Sequence, residues 1–285
     1  MNLKNHLASI LKIPDHKITL ETASGGSINQ SYLIQTENKK FFCKTNSLSR
    51  FPSLFAGEVS GLQILRETKV FRIPELIYSG GKGDTQILVL EFISPGIRTE
   101  NFWKLFGEKL AMLHSVHSME CGLEEDNYMG SLPQSNRKSE SWTSFFLEER
   151  IRPQVDLAAR SGFLQAPHLL QFEKLYKALP EIFPDDKISL LHGDLWSGNF
   201  LCDEFDSPVL IDPALYFGSR HMDLAMTTLF GGFDPAFYDS YRYYFQFPAN
   251  YREIWELCNL YPLLVHLNLF GSSYLKAITS TISRF

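Results

Sequence analysis

The chain has 285 residues, 44% of them hydrophobic and 14% aromatic, so it can bury a core for one large domain or for two lobes around a cleft. Its formal net charge of −5 disfavours nucleic acid and anionic membranes as partners, because both attract basic surfaces. The four cysteines form no Cys-x-x-Cys pair, which argues against a zinc ribbon or a thioredoxin-like motif and fits a reducing compartment.

The sequence predicts a soluble, cytoplasmic protein. No basic segment followed by an apolar core opens the chain, so we expect no secretory signal. The most apolar late run, residues 260–270, is interrupted by His266 and Asn268 and is too short to span a bilayer. The sequence makes no prediction of oligomeric state.

The first 93 residues predict a small sheet with two helices. Alternating apolar residues indicate strands, and apolar residues at helical spacing indicate amphipathic helices. The predicted elements are a helix at 2–12, strands at 18–21, 31–35 and 41–44, a helix at 53–67 and a strand at 87–92. The Ser94-Pro95-Gly96 break that follows marks a boundary between one lobe at 1–93 and a second at 94–285.

Beyond this break the chain becomes mostly helical. The predicted helices are 101–116, 142–159, 168–179, 222–230, 235–245 and 251–269. A small antiparallel sheet followed by a larger helical lobe is an α+β arrangement with a cleft between the lobes. Nucleotides commonly bind in clefts of this kind.

The most informative stretch is residues 192–199, His-Gly-Asp-Leu-Trp-Ser-Gly-Asn, followed by the apolar run 208–211 and Asp212. This order suits phosphoryl transfer, which depends on positioning and charge neutralisation. Asp194 is the candidate base for an attacking hydroxyl, and Asn199 and Asp212 are candidate oxygen ligands for Mg²⁺. The alternative is a polar loop between two core strands, with Asp212 as a turn residue before Pro213.

A second group of residues predicts a site for the phosphates of ATP. Glycines between the first two strands let backbone N–H groups approach phosphate oxygens, although a Gly-Gly pair is usually only a turn. The candidates in this loop are Gly25, Gly26, Ser27, Ile28 and Asn29. Lys44 ends the third strand, and Glu58 on the following helix is the candidate ionic partner of its ammonium group. The alternative for Lys44 is an ordinary surface lysine.

The strand before the lobe boundary is the candidate adenine site. It comprises Leu90, Glu91, Phe92 and Ile93. Adenine would bind to the backbone carbonyl of Glu91 and the backbone N–H of Ile93. A core strand that runs into a linker is the alternative, and the two interpretations are compatible.

The ordered set of motifs resembles the kinase-like phosphotransferase superfamily, which includes aminoglycoside phosphotransferases and choline kinases. Longer strings are similar to the fructosamine (ketosamine) 3-kinase family. They are HGDLWSGN at 192–199, DPA at 212–214, DLAM at 223–226, LFGGF at 229–233, NYMGSLPQ at 127–134, RIRPQ at 150–154 and HLNLFGS at 266–272. The resemblance covers nearly the whole chain. One departure is Ser27, where many relatives have cysteine, so thiol-based regulation is not expected at this loop.

This resemblance implies a bilobal protein-kinase-like fold and an ATP-dependent kinase of ketosamines. The family phosphorylates the 3-hydroxyl of fructosamine or ribulosamine adducts of amines or proteins, and the phosphorylated adduct then releases the amine in a deglycation repair reaction. By position, Asp194 would be the base, Asn199 and Asp212 the Mg²⁺ ligands, and Lys44 and Glu58 the pair that orients the phosphates of ATP.

The candidate residues for the sugar or its amine substituent are Trp196, Trp142, His266 and Asn268. An aromatic ring such as Trp196 can stack on a sugar or attract a protonated amine. For each of the four a structural role in the core is the alternative. The sequence does not choose between fructose, ribulose and erythrulose adducts, or between a small-molecule ketosamine and a glycated protein lysine.

Two further functions stay open from the sequence. The first is another small-molecule kinase of the aminoglycoside or choline phosphotransferase type. The second is a catalytically idle nucleotide-binding module, although every polar residue expected for catalysis is present.

Overall fold

A five-stranded antiparallel sheet forms the amino-terminal part of the protein in the computed structural model, which describes residues 3–23 and 28–285. The strands are β1 (Thr19–Ala23), β2 (Gln30–Gln35), β3 (Lys40–Ser47), β4 (Leu76–Lys82) and β5 (Thr85–Glu91). Their order across the sheet is β1-β2-β3-β5-β4. Strand β3 is therefore the central strand, and its residues have a neighbouring strand on each side.

Side chains of β3 alternate between the two faces of the sheet. Cys43 packs in a small apolar cluster with helix α1 (Leu3–Leu11) on one face. Lys44, the next residue, points to the opposite face and contacts Glu58 of helix α2 (Leu54–Glu67). The alternation thus directs one lysine toward the helical part of the protein.

The remainder of the chain is mostly helical and shares one large apolar core with α2. Its helices are α3 (Glu100–His114), α4 (Trp142–Phe145), α5 (Arg152–Arg160), α6 (Ala166–Ile182), α7 (His221–Leu229), α8 (Pro235–Tyr244), α9 (Tyr251–Cys258), α10 (Leu260–Phe270) and α11 (Leu275–Ile282). Within the ranges that the structure describes, no helix has both the length and the apolar character needed to cross a bilayer.

Short strands support the loops between these helices. They are β6 (His117–Ser118), β7 (Asn127–Met129), β8 (Leu132–Gln134), β9 (Ile188–Leu191), β10 (Phe200–Cys202), β11 (Pro208–Leu210) and β12 (Tyr216–Gly218). Strand β9 lies between β12 and β6, β10 pairs with β11, and β7 pairs with β8 as a hairpin. The segment 192–199 therefore leaves one small sheet and enters another, which holds both of its ends.

The predicted α+β class is confirmed, and two predicted helices prove to be interrupted. The helix predicted at 142–159 consists of α4, a π-helical turn (Phe146–Ile151) and α5, with Pro153 in the first turn of α5. The helix predicted at 251–269 divides at Asn259, and Pro262 lies in the first turn of α10. Proline has no backbone N–H to donate to the preceding turn, so each helix changes its hydrogen bonding there.

Candidate active site

A cavity of about 480 Å³ opens between the sheet and the helical part of the protein. Residues from both sides of the molecule line it, so it forms only when the two parts pack together. The polar residues on its wall include most of the predicted catalytic and phosphate-binding side chains. They are Asn29, Lys44, Glu58, Asp194, Asn199 and Asp212.

Lys44 is buried and lies between two carboxylates. Its Nζ donates a hydrogen bond to Glu58 Oε1 at 2.8 Å and a second to Asp212 Oδ1. Burial by itself lowers the pKa of Lys44, but the nearby charges of Asp212 and Glu58 more than offset this and raise it above its usual value. The ammonium group is therefore charged at neutral pH and held in one place.

Asp194 and Asn199 face each other across one loop. Asn199 Nδ2 donates to Asp194 Oδ2 at 2.7 Å and to the Asp194 backbone oxygen at 2.8 Å. Both amide hydrogens are thereby used, which leaves Asn199 Oδ1 as the atom suited to a cation. Burial raises the pKa of Asp194 to about 7, although the hydrogen bond from Asn199 opposes the shift.

Asp223, on helix α7, holds the start of this loop from beneath. Its carboxylate accepts hydrogen bonds from the backbone N–H of His192 at 2.7 Å and of Gly193 at 2.9 Å. It also lies 3.2 Å from His114 Nε2. Burial by itself raises the pKa of Asp223, but the hydrogen bond from His114 and the backbone donors hold it below its usual value. Asp223 therefore remains ionised and fixes two successive backbone amides.

The His192 ring joins the two polypeptide segments of the site. Its Nε2 lies 2.9 Å from the carbonyl oxygen of Ile211, which can only accept, so Nε2 carries the proton. Its Nδ1 then accepts from the backbone N–H of Asp194 at 3.3 Å. Burial lowers the pKa of His192, and the neutral ring thus connects the loop of Asp194 to the strand end that precedes Asp212.

Backbone conformation brings these segments unusually close. Gly193 has a φ of +85°, and a Cβ atom at this position would lie 2.0 Å from the carbonyl oxygen of Ala214. Only glycine fits such an approach. Asp212 has a φ of 54°, an uncommon value for a residue with a side chain. The surrounding hydrogen bonds must therefore hold the backbone of Asp212 in place.

The wall nearest Asp194 is aromatic. Trp196 is 37% exposed and meets the ring of Phe230 edge-on at a centroid distance of 5.7 Å. Phe230 in turn lies 4.9 Å from the His266 ring. His266 Nδ1 lies 2.7 Å from the carbonyl oxygen of Pro262, so Nδ1 carries the proton and Nε2 is left as an acceptor. Trp196 and His266 both line the cavity, and their role in substrate binding stays a prediction.

Two candidates for substrate binding lie elsewhere, and the structure corrects both. Trp142 is buried in the core, with its ring 5.4 Å from Phe146 and 6.0 Å from Phe183. It lies on the inner face of a short helix, where a large apolar ring packs against other rings. Asn268 donates its amide hydrogens to the backbone and side-chain oxygens of Gln154. Neither residue lines the cavity.

The predicted nucleotide-binding residues divide into three groups. Ile28 and Asn29 line the cavity, whereas Gly25, Gly26 and Ser27 fall outside the described residues. The four residues at 90–93 end β5 and follow it, and they do not line the cavity. Within this segment the Glu91 side chain accepts a hydrogen bond from Arg72 at 2.7 Å. The role of residues 90–93 in adenine binding stays a prediction.

Several residues of the cavity were not predicted from the sequence. The hairpin residues 127–130 form one wall, and Phe230, Phe270 and Tyr274 extend the aromatic side. The hairpin is distant in sequence from residues 192–199, the candidate catalytic loop, so only the tertiary structure brings the two together. The Gly130-Ser131 pair was the available sequence signal for a turn, and Gly130 has a φ of +63° in the structure.

Comparisons with known proteins identify the family of this chain. A family model described as "Fructosamine kinase" matches residues 2–285. A protein of Vibrio parahaemolyticus named "Probable ketoamine kinase" is 36% identical over 266 residues, covering 92% of this chain and 90% of its own. The "Protein-ribulosamine 3-kinase, chloroplastic" of Arabidopsis thaliana is 36% identical over 270 residues, covering 93% of this chain and 81% of its own.

Solved structures give the same result for the fold. A crystal structure from Thermobifida fusca described as a "putative fructosamine-3-kinase" has a TM-score of 0.86 at 28% identity and covers 99% of this chain and 98% of its own. The aminoglycoside phosphotransferase APH(4)-Ia has a TM-score of 0.64 at 14% identity, with 98% of each chain covered, and shows a shared fold only. The predicted bilobal kinase-like fold is thus confirmed.

The substitution Asp223→Asn should lower the free energy of unfolding at pH 7 by about 1–3 kcal/mol, because one buried backbone N–H loses its acceptor. The folded-state pKa of Asp223 is below its ordinary value, so its contribution is present at neutral pH and is lost as pH falls through that lower value. Urea unfolding at pH 7 and in the acid range measures both effects. The exposed Asp239→Asn is the control, and equal midpoints for the two variants at pH 7 would contradict the bracing role.

Proposed function

The chain belongs to the fructosamine kinase family, and from this premise we propose that it is an ATP-dependent kinase that phosphorylates the 3-hydroxyl of ketosamines. The observation that carries the proposal is that Lys44, Asp194, Asn199 and Asp212 line one cavity in a chain that matches the family from residue 2 to residue 285. Relatives named as a ketoamine kinase and a ribulosamine 3-kinase share more than a third of its residues over most of the chain.

The nucleotide phosphates would bind beside Lys44, whose ammonium group Glu58 holds at 2.8 Å. We retain the loop residues 25–29 as a cover for the phosphates and the strand residues 90–93 as the adenine site. This arrangement assigns residues 1–93 to a nucleotide-binding lobe and 94–285 to a catalytic and substrate-binding lobe. Positive charge and fixed geometry at the phosphates are what phosphoryl transfer requires of a protein.

Mg²⁺ would be held by Asn199 Oδ1 and the Asp212 carboxylate. These donors fit the ion, because Mg²⁺ takes hard oxygen ligands and is usually held by one or two protein groups together with phosphates. When bound, the ion would neutralise charge on the phosphate oxygens.

Asp194 would orient the acceptor hydroxyl and take its proton. A base works best when its pKa is close to the pH at which it operates. Burial raises the pKa of this carboxyl to about 7, so it can accept a proton near neutrality. The hydrogen bonds from Asn199 and the braced loop keep its side chain pointed into the cavity.

The ketosamine would lie against the aromatic wall, with its sugar or ammonium group on Trp196. His266 Nε2 would accept a hydrogen bond from a substrate hydroxyl or ammonium group.

The phosphate acceptor is a small-molecule ketosamine or a glycated lysine of a protein. Release of the amine after 3-phosphorylation makes this a deglycation repair reaction. We place it in the cytoplasm, where ATP is available.

Incubation of the protein with Mg·ATP and a fructosyl- or ribulosyl-lysine peptide tests the function. The expected product carries phosphate on O3, which a ¹H–³¹P correlation spectrum locates, and it then releases the unmodified peptide. Unmodified peptide, an aminoglycoside and choline serve as comparison acceptors. Transfer of phosphate only to the aminoglycoside or to choline would instead identify another small-molecule kinase. Thermal stabilisation by Mg·ATP without any phosphate transfer would identify a catalytically idle module.

Asp194→Asn should lower kcat by at least about 100-fold, because an amide cannot take the proton of the acceptor hydroxyl. Affinity for ATP should stay close to that of the wild type, since the Lys44–Glu58 pair is untouched. Steady-state kinetics and calorimetric titration with ATP measure the two quantities. The exposed Asp185→Asn is the matched control. Turnover near the wild-type rate would show that Asp194 is not the base.

Trp196→Ala should raise the KM for the ketosamine by about 2–30-fold, which corresponds to a cation–π contribution of roughly 0.5–2 kcal/mol. The KM for ATP should not change. Trp196→Phe should lie between the two, because it retains a smaller ring. Tyr243→Ala removes an aromatic residue that is 81% exposed and lines no part of this cavity, so it serves as control. An unchanged KM for the ketosamine in Trp196→Ala would remove Trp196 from the substrate site.

A further inference from the structure

The hairpin of β7 and β8 contacts both parts of the molecule beside the candidate active site. Residues 127–130 form a wall of the cavity. The Tyr128 hydroxyl donates to the backbone oxygen of Pro52 at 2.6 Å, just before the helix that carries Glu58. This helix packs so tightly on the hairpin that a Cβ at Gly57 would lie 3.3 Å from that of Asn127. The hairpin is therefore fixed to the sheet side of the cleft.

A buried network of hydrogen bonds connects the same hairpin to the segment after Asp212. Gln134, only 1% exposed, donates from Nε2 to Asn127 Oδ1 at 2.7 Å and to the Ala214 carbonyl oxygen at 3.1 Å. Asn127 Nδ2 donates to the Leu215 carbonyl oxygen at 2.8 Å. The Tyr261 hydroxyl, from α10, donates to Gln134 Oε1 at 2.7 Å. Two amides thus hold two successive carbonyl groups.

These two carbonyl groups closely follow Asp212, a proposed Mg²⁺ ligand, in the chain. Ala214 comes two residues after Asp212, whose φ of 54° is unfavourable for a residue with a side chain. The backbone N–H of Ala214 donates to the carbonyl oxygen of His192 at 3.0 Å. The Ala214 residue is therefore held on one side by the catalytic loop and on the other by Gln134. Its placement sets the Asp212 backbone relative to Asp194.

The chemistry of Gln134 suits this position. Both of its amide hydrogens go to oxygen acceptors, and its oxygen accepts from a hydroxyl, so the side chain must donate and accept at once. Glutamate cannot donate in its ionised form, and methionine does neither. Either substitution leaves buried oxygens without their donors, and the segment after Asp212 would have to move to find others.

We propose that Asn127, Gln134 and Tyr261 are positioning residues that fix the Asp212 backbone against the catalytic loop. The proposal rests on the proposed function only for its effect on catalysis. The network acts through the backbone at Ala214 and Leu215, and none of its three side chains needs to touch the reacting atoms. The network also connects the cavity wall formed by residues 127–130 to Asp212, the residue proposed to hold the metal.

Gln134→Met and Tyr261→Phe test the network by two independent readouts. The first is hydrogen–deuterium exchange of the unliganded protein, in which amides at 211–217 should exchange faster while those of α3 and α6 stay unchanged. The second is steady-state kinetics on a fructosyl-lysine peptide. Here kcat should fall by at least about tenfold in Gln134→Met, since displaced reacting groups lose rate steeply, and the KM for the peptide should change little. Tyr261→Phe, which keeps both donors of Gln134, should show the same changes to a smaller degree.

Tyr238→Phe is the control, because it also removes one hydrogen-bonded tyrosine hydroxyl, here partly buried, bonded to Thr227 at 2.9 Å and absent from the cavity wall. It should leave exchange at 211–217 and kcat unchanged. Exchange and kcat equal to wild type in Tyr261→Phe, with Gln134→Met either equal or unfolded, would overturn the proposal. If the wild type phosphorylates no ketosamine while exchange at 211–217 still rises in the variants, the proposed function fails and the positioning network stands.

Discussion

The structure depends on one buried ammonium group that needs two carboxylates. Lys44 lies on the central strand of the sheet, Glu58 on the following helix and Asp212 at the end of a strand in the other half of the chain. A charge removed from water is tolerated only when partners compensate it. Because the partners come from separate parts of the sequence, this compensation is complete only when the two halves meet. The same packing that satisfies Lys44 also creates the cleft and brings the proposed phosphate and metal groups together.

Buried polar contacts hold the backbone segments around Lys44, Glu58 and Asp212 in place. Asp223 fixes the backbone at His192 and Gly193, and the neutral ring of His192 joins that loop to the strand end before Asp212. On the other side the hairpin amides hold the two carbonyl groups after Asp212. Phosphoryl transfer needs little covalent participation from a protein, so rate depends on such placement. The aromatic wall beside Asp194, by contrast, is partly exposed and suits the recognition of a substrate.

The sequence predicted what depends on local pattern and on the order of motifs. Alternation located the central strands, helical spacing located most helices, and the spacing from His192 to Asp212 identified side chains that share one cavity. It did not reveal the π-helical turn within 142–159 or the division of 251–269 at Asn259, because apolar spacing continues through both segments. It also kept Trp142 and Asn268 as candidates for substrate binding, since a sequence does not say which face of a helix turns to a cavity. The hairpin at 127–134 joins the site only through tertiary contacts, which no local pattern encodes.

Asn199 and Asp212 are the proposed ligands of a divalent ion at the phosphates of a nucleotide that Lys44 would also contact. Crystals grown with Mn²⁺ and a non-hydrolysable ATP analogue test this assignment directly, because Mn²⁺ is located by its anomalous scattering. We expect a peak within coordination distance of Asn199 Oδ1 and the Asp212 carboxylate, with the β- and γ-phosphates completing the ligands and Lys44 Nζ on the α- and β-phosphates. A nucleotide bound away from this cavity, or one bound in it with no ion on Asn199 and Asp212, would contradict this assignment of the ligands.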